Sequence, residues 1–85
     1  MYLKRGNKMI NLYYLSTCPY CKRVIDFLDE KNIEYKLLDI NEQENFNKLL
    51  KIGKKKQVPF IVDTNTGIVM YESNDIIKYL TKEYL

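Results

Sequence analysis

The residues best suited to chemistry are Cys18 and Cys21, the only two cysteines in a chain of 85 residues, with Pro19 and Tyr20 between them. An apolar run over residues 10–15 leads into the pair and reads as a strand. The segment behind it, residues 22–31, has helical apolar spacing. The cysteines therefore stand where a strand hands over to a helix. The first turn of a helix presents unpaired N–H groups and the positive end of its dipole. A thiol placed there gives up its proton more readily, and the thiolate is the nucleophile. Pro19 suits the first helical position, where its missing N–H costs nothing. Cys21, three residues after Cys18, falls one turn further along on the same face. The two sulfurs can then join in a disulfide within one turn and take different parts. Cys18 reaches a substrate, and Cys21 attacks a mixed disulfide on Cys18 from behind. Lys22 and Arg23 add positive charge nearby.

Other uses of such a pair are weaker fits. A zinc site needs four ligands, and with no histidine and no further cysteine a single chain cannot complete a cysteine/histidine cage. The pair could also be a structural disulfide of a secreted mini-protein or two inert buried thiols. The position at a helix start and the neighbours Thr17, Pro19 and Tyr20 weigh against both.

The elements that must position the pair fit in one domain, which at this length buries about 60% of its unfolded surface. Hydrophobic content of 46% and charged content of 29% are those of an ordinary globular chain, and a net charge of +3 is too small to argue for nucleic acid. The run Lys54-Lys55-Lys56 is the one dense basic patch and reads as a solvated loop. No apolar run approaches a membrane span, and the apolar run after the basic residues 1–8 falls short of a signal-peptide core. A reducing, cytoplasmic location is expected, where a close cysteine pair is more often catalytic than structural. Residues 1–8 read as a loose lead-in, with Met9 as an alternative start, and residues 9–85 as the folded domain.

Residues 9–15 form the first strand, apolar on both faces as in a central strand. Residues 19–31 form the first helix, with Cys21, Val24, Ile25 and Leu28 at helical spacing, Phe27 widening the stripe, and Asn32 as a left-handed end. A second strand covers residues 34–40. Strand, helix and strand in this space make a βαβ unit with parallel strands. Asn41 is expected to cap a helix over residues 42–52 that carries Phe46, Leu49 and Leu50 and ends at Gly53. After the basic loop come Val58-Pro59, a strand over residues 60–63, a turn using Gly67, and an antiparallel strand over residues 68–71. Ser73 is expected to cap a last helix that reaches about Tyr84 and buries Ile76, Ile77, Leu80 and Tyr84. The order βαβ-α-ββα predicts an α/β fold, a mixed four-stranded sheet with helices on both faces.

This order, with Cys18-Pro19-Tyr20-Cys21 after the first strand, resembles a dithiol glutaredoxin of the thioredoxin fold, from Met9 to the C-terminus. Val58-Pro59 resembles the family's Val-Pro pair, whose proline is cis and faces the active-site cysteine. Tyr71-Glu72-Ser73-Asn74-Asp75-Ile76 is similar to the Glu-Ser motif of the glutathione transferase amino-terminal domain, which holds the γ-glutamyl end of glutathione. The resemblance implies a glutathione-dependent thiol–disulfide oxidoreductase acting on protein disulfides and protein–glutathione mixed disulfides. Cys18 and Cys21 would be catalytic, and Tyr20, Lys56, Gln57, Val58, Pro59, Glu72 and Ser73 would bind glutathione, with Glu72 or Asp75 pairing with its amine. Glutathione would be a co-substrate with no tightly bound cofactor or metal. The partners would be disulfide-bearing or glutathionylated proteins, not nucleic acid or membrane, and the protein a monomer.

The sequence departs from the family at three places. Leu15 replaces the basic residue that often stands three before the first cysteine, leaving Lys54, Lys55 and Lys56 as its available substitutes. Gln57 stands for the usual Thr, and Met70-Tyr71 for a frequent Gly-Gly. Two further readings stay open: an electron donor served by a dedicated reductase, and a binder that bridges an iron–sulfur cluster between two chains.

Overall fold

The structure is a computed structural model and describes residues 9–85. The lead-in expected over residues 1–8 lies outside them. The order is β1 (Ile10–Tyr14), α1 (Pro19–Glu30), β2 (Tyr35–Asp39), α2 (Gln43–Gly53), β3 (Phe60–Asp63), β4 (Val69–Tyr71) and α3 (Ser73–Tyr84). The four strands make one sheet in the order β2-β1-β3-β4. β1 runs parallel to β2, with Leu12 opposite Leu37, and antiparallel to β3, with Leu12 opposite Ile61; β4 returns antiparallel to β3. This is the thioredoxin fold.

Successive side chains of a strand point to opposite faces, and β1 uses both. Ile10 and Leu12 join Val24, Leu28, Ile33, Ile61, Ile76 and Leu80 in a core that α1 and α3 cover. Tyr13 turns the other way, to Ile40, Leu49 and Phe60, where α2 covers the sheet. Helices thus lie on both faces, as the sequence predicts. Each such aliphatic side chain, fully withdrawn from water, contributes about 1.5–3 kcal/mol. β1 is the buried strand from which the dithiol turn projects.

Several boundaries differ from expectation. Asn41 does not cap α2. Glu42 is the N-cap and its side chain makes no capping bond. Instead the Asn41 N–H donates to the Asp39 carboxylate at 2.8 Å, and Asn45 Nδ2 donates to the Asp39 carbonyl at 3.0 Å. Asp39 at the end of β2 therefore organises this turn. Gly53 is the last helical residue, and Lys54 takes the left-handed conformation after it (φ 70°). Glycine is required at 53 for room, because a Cβ there would collide with the Tyr71 hydroxyl and lie 3.2 Å from Phe60 Cε1. Asn32 (φ 57°) and Gly67 (φ 80°) are left-handed where the sequence places such residues.

One polar centre escaped the sequence reading. Asp63, 1% exposed, accepts from Tyr79 Oη at 2.5 Å, Tyr84 Oη at 3.0 Å and the Asn65 N–H at 2.9 Å. It ties the end of β3 to the C-terminal half of α3. A buried carboxylate is tolerable only with such partners.

Candidate active site

A short turn joins β1 to α1, closed by the Cys18 N–H donating to the Leu15 carbonyl at 3.1 Å. Cys18 is the N-cap of α1, in extended backbone conformation (φ −91°, ψ 113°), and Pro19 opens the helix. The Cys18 sulfur takes the place of a capping oxygen, accepting the Cys21 N–H at 3.3 Å. Both cysteines are free thiols, and their environments differ: Cys18 is half-buried, whereas Cys21 is fully buried. Burial pushes the Cys21 thiol up to about 12. The hydrogen bond and charge of Cys18 act in the same direction, and a backbone hydrogen bond at Leu15 acts against them.

Beside this turn lies a cleft of about 440 Å³. Tyr20 and Arg23 of α1, Gln57, Val58 and Pro59 of the segment before β3, and Glu72, Ser73 and Asn74 at the start of α3 line it. Cys18 precedes the Tyr20 wall by two residues. Tyr20 is 62% exposed, Pro59 is buried, and the Val58–Pro59 peptide bond is cis. Gln57 Nε2 donates to Glu72 Oε2 at 2.9 Å.

The structure thus gathers six of the residues that the sequence offers as ligand contacts: Tyr20, Gln57, Val58, Pro59, Glu72 and Ser73. It does not bring Lys56 to them. The Lys56 ammonium lies 5.8 Å from the centre of the Phe46 ring, in a separate concavity of about 260 Å³ with Leu15, Ile40, Asn41 and Gln43. Lys55 is occupied as well. Its ammonium lies 4.7 Å from the centre of the Tyr71 ring, and its carbonyl accepts the Tyr71 hydroxyl at 2.8 Å. None of Lys54, Lys55 and Lys56 lines the cleft.

Ser73 is not the cap of α3. Glu72 holds that position (φ 70°, ψ 116°), and Ser73 is the first helical residue, 7% exposed. The physical reason lies in the backbone. Glu72 occupies a left-handed φ, and its carbonyl already receives the Ile76 N–H at 2.9 Å, so the helix starts one residue earlier than a serine cap implies. The charges near the dithiol also differ from expectation. Lys22 pairs with Asp26 at 3.3 Å on the outer face of α1. Arg23 crosses to α3, its Nη1 donating to Asn74 Oδ1 at 2.6 Å. Arg23 and Asn74 as cleft walls were missed by the sequence reading. The signal available was the i, i+3 spacing of Tyr20 and Arg23, which puts them on one face of α1.

In this thioredoxin fold, a helix-capping cysteine and a buried second thiol one turn on stand beside a polar cleft. Residues 12–85 match the family model for the glutathione S-transferase N-terminal domain. The chain belongs to that family and is a glutaredoxin-like member of the thioredoxin fold.

It is similar to an uncharacterized glutaredoxin-like 8.6 kDa protein in the rubredoxin operon of Clostridium pasteurianum. The identity is 30% over 77 residues, 87% of this chain and 100% of that protein. It is 41% identical over 64 residues to glutaredoxin 1 of Rickettsia felis, covering 69% of this chain. The match spans 61% of that relative's length. Among solved structures, glutathione transferase Omega 3C from Trametes versicolor superposes with a TM-score of 0.78 at 31% identity. That match covers 88% of this chain and 33% of the transferase.

Proposed function

We propose that this protein is a glutathione-dependent thiol–disulfide oxidoreductase that reduces protein disulfides and protein–glutathione mixed disulfides. The observation that carries the reading is the unequal dithiol: Cys18 caps α1 and receives an N–H on its sulfur, while Cys21 is buried behind it. The comparisons support the thiol–disulfide chemistry, and the cleft at Val58–Pro59 and Glu72–Ser73 supports glutathione as the ligand.

The Cys18 thiolate attacks the glutathione sulfur of a mixed disulfide. The S–S bond breaks, the protein thiolate leaves with the electron pair, and Cys18 carries the glutathione. A second glutathione thiolate attacks that adduct, releasing oxidised glutathione and the Cys18 thiolate. On a protein disulfide, Cys18 first forms a mixed disulfide with the substrate. Cys21 then loses its proton and attacks the Cys18 sulfur, leaving a Cys18–Cys21 disulfide and a reduced substrate. Attack within one helical turn needs no rearrangement of the fold. Its rate depends on the thiolate fraction and nucleophilicity of the attacking sulfur. Val58 and Pro59 line the cleft together with Tyr20, and Glu72, fixed by Gln57, offers an anion to the ligand's ammonium. The reading places the protein in the cytoplasm as a monomer, with glutathione as co-substrate and no tightly bound cofactor. No helix among the described residues is long and apolar enough to cross a membrane.

A second reading, an electron donor served by a dedicated reductase, draws on one observation: neither Leu15 nor Lys56 puts a cation into the cleft. The reduction potential of the pair in glutathione buffers separates the two. A value of roughly −200 to −230 mV, with glutathione found on Cys18, is expected. A value near about −270 mV with no adduct would move the assignment to the reductase-served donor.

A further inference from the structure

The cleft holds two charged side chains, Arg23 and Glu72, and they are not paired with each other. The ion pairs among the described residues are Lys22–Asp26 and Lys48–Glu44, both on outer helix faces. Each cleft charge is instead held by a neutral amide. Arg23 donates to Asn74 Oδ1 at 2.6 Å, and Glu72 accepts from Gln57 Nε2 at 2.9 Å. An amide fixes the place of a charged group without cancelling its charge. The start of α3 thus meets one anchored cation and one anchored anion, a pattern complementary to a zwitterion. Asn74 engages one guanidinium nitrogen, whereas arginine carries five N–H donors in a fixed fork. The remaining donors suit a carboxylate, which the fork binds in two-point fashion.

We infer that Arg23 is a specificity-determining residue that takes the α-carboxylate of a ligand's free amino-acid head group, with Asn74 as its positioning residue. The preferred substrates are then disulfides that carry a free α-amino acid, as the γ-glutamyl end of glutathione does. The inference rests on the glutathione reading above and adds a contact from α1 that the Glu-Ser motif does not contain.

The test compares two peptide mixed disulfides, one carrying glutathione and one carrying cysteinylglycine, which lacks the γ-glutamyl unit. The reduced protein reacts with each in a single turnover, and mass spectrometry follows the adduct on Cys18. The native protein is expected to prefer the glutathione disulfide. Arg23→Gln should lower that rate by about tenfold, the loss of one charge-assisted contact, and leave the cysteinylglycine rate in place. Arg23→Lys should restore part of the preference. Asn74→Asp separates ligand binding from a structural tie, because it keeps a partner for Arg23 and neutralises its charge; it should behave like Arg23→Gln. Lys22→Gln, next to Arg23 but facing away, should change neither rate.

Equal slowing of both disulfides by Arg23→Gln, or a native glutathione rate in Asn74→Asp, would reduce Arg23 to a tie between helices and overturn the inference while leaving the glutathione reading standing. A native protein with no preference between the two disulfides would overturn both.

Discussion

The unequal chemistry of the two thiols is measurable without any substrate. Alkylation by iodoacetamide reports the thiolate fraction at each cysteine, multiplied by access. An ordinary cysteine titrates near about 8.5, so about one in four is thiolate at pH 8. Cys21, pushed up to about 12 chiefly by burial, is thiolate in about one molecule in ten thousand at that pH. On ionisation alone it should react about three orders of magnitude more slowly than an ordinary thiol, and its 0% exposure adds to the difference. Quenched labelling followed by peptide mass spectrometry, at pH 7 to about 9, should find the label on Cys18 with Cys21 untouched until the protein unfolds. In urea both should react at ordinary rates. Labelling of Cys21 in the folded protein at a rate comparable to Cys18 would refute the burial argument and with it the division of roles. The same physics bears on turnover. When Cys18 is tied up in a mixed disulfide, the interactions that depend on its free sulfur are lost and burial remains as the main force holding the Cys21 proton. Resolution by Cys21 should therefore be slow beside attack by an external glutathione thiolate.

Cys18→Ser should abolish activity on every disulfide, whereas Cys21→Ser should keep glutathione-dependent release of glutathione from mixed disulfides and lose the reduction of protein disulfides; equal losses on a glutathione mixed disulfide would refute the roles. Tyr84→Phe removes one of three donors to the buried Asp63 and should cost about 1–2 kcal/mol at neutral pH, read as a lower urea midpoint. Burial first and Asp63 second hold the Tyr84 hydroxyl proton more tightly in the folded protein than in the unfolded chain, so this contribution is intact below about pH 10 and is lost as pH rises through the folded titration. The variant should accordingly lose less stability than the native protein between about pH 10 and 12, and an unchanged slope would remove Tyr84 from that account.

The architecture was legible because each element carries its own period. Cys21, Val24 and Leu28 are the buried residues of α1 and stand at the spacing the sequence shows, and Ile10 and Leu12 alternate with Tyr13 across a strand buried on both faces. The dithiol was legible for the same reason, since both cysteines sit inside one turn whose conformation is local. What was not legible depends on residues far apart in the chain. Ser73 is an excellent cap by type, yet the helix begins at Glu72's carbonyl because the backbone there turns left-handed as it leaves β4. Asp63 reads only as the last residue of a strand until Tyr79 and Tyr84, on α3, arrive to satisfy it.

Lys56 shows how one substitution redistributes charge. It adjoins Gln57, yet Gln57 lines the cleft and Lys56 lies over Phe46. Tyr71 stands where the resemblance leads one to expect glycine, and its ring packs on Phe60 at 4.5 Å between centroids. Its hydroxyl holds the Lys55 carbonyl, and the space it fills forces a glycine at 53. The ring thus anchors the basic loop to β4, with Lys55 over it and Lys56 turned to the α2 side. With Leu15 uncharged as well, Arg23 is the one cation lining the cleft among the described residues. If glutathione is the ligand, its γ-glutamyl α-carboxylate meets a single guanidinium on α1 rather than the lysine-rich loop. The affinity of this protein should then depend more on Arg23 than on Lys54, Lys55 and Lys56 together.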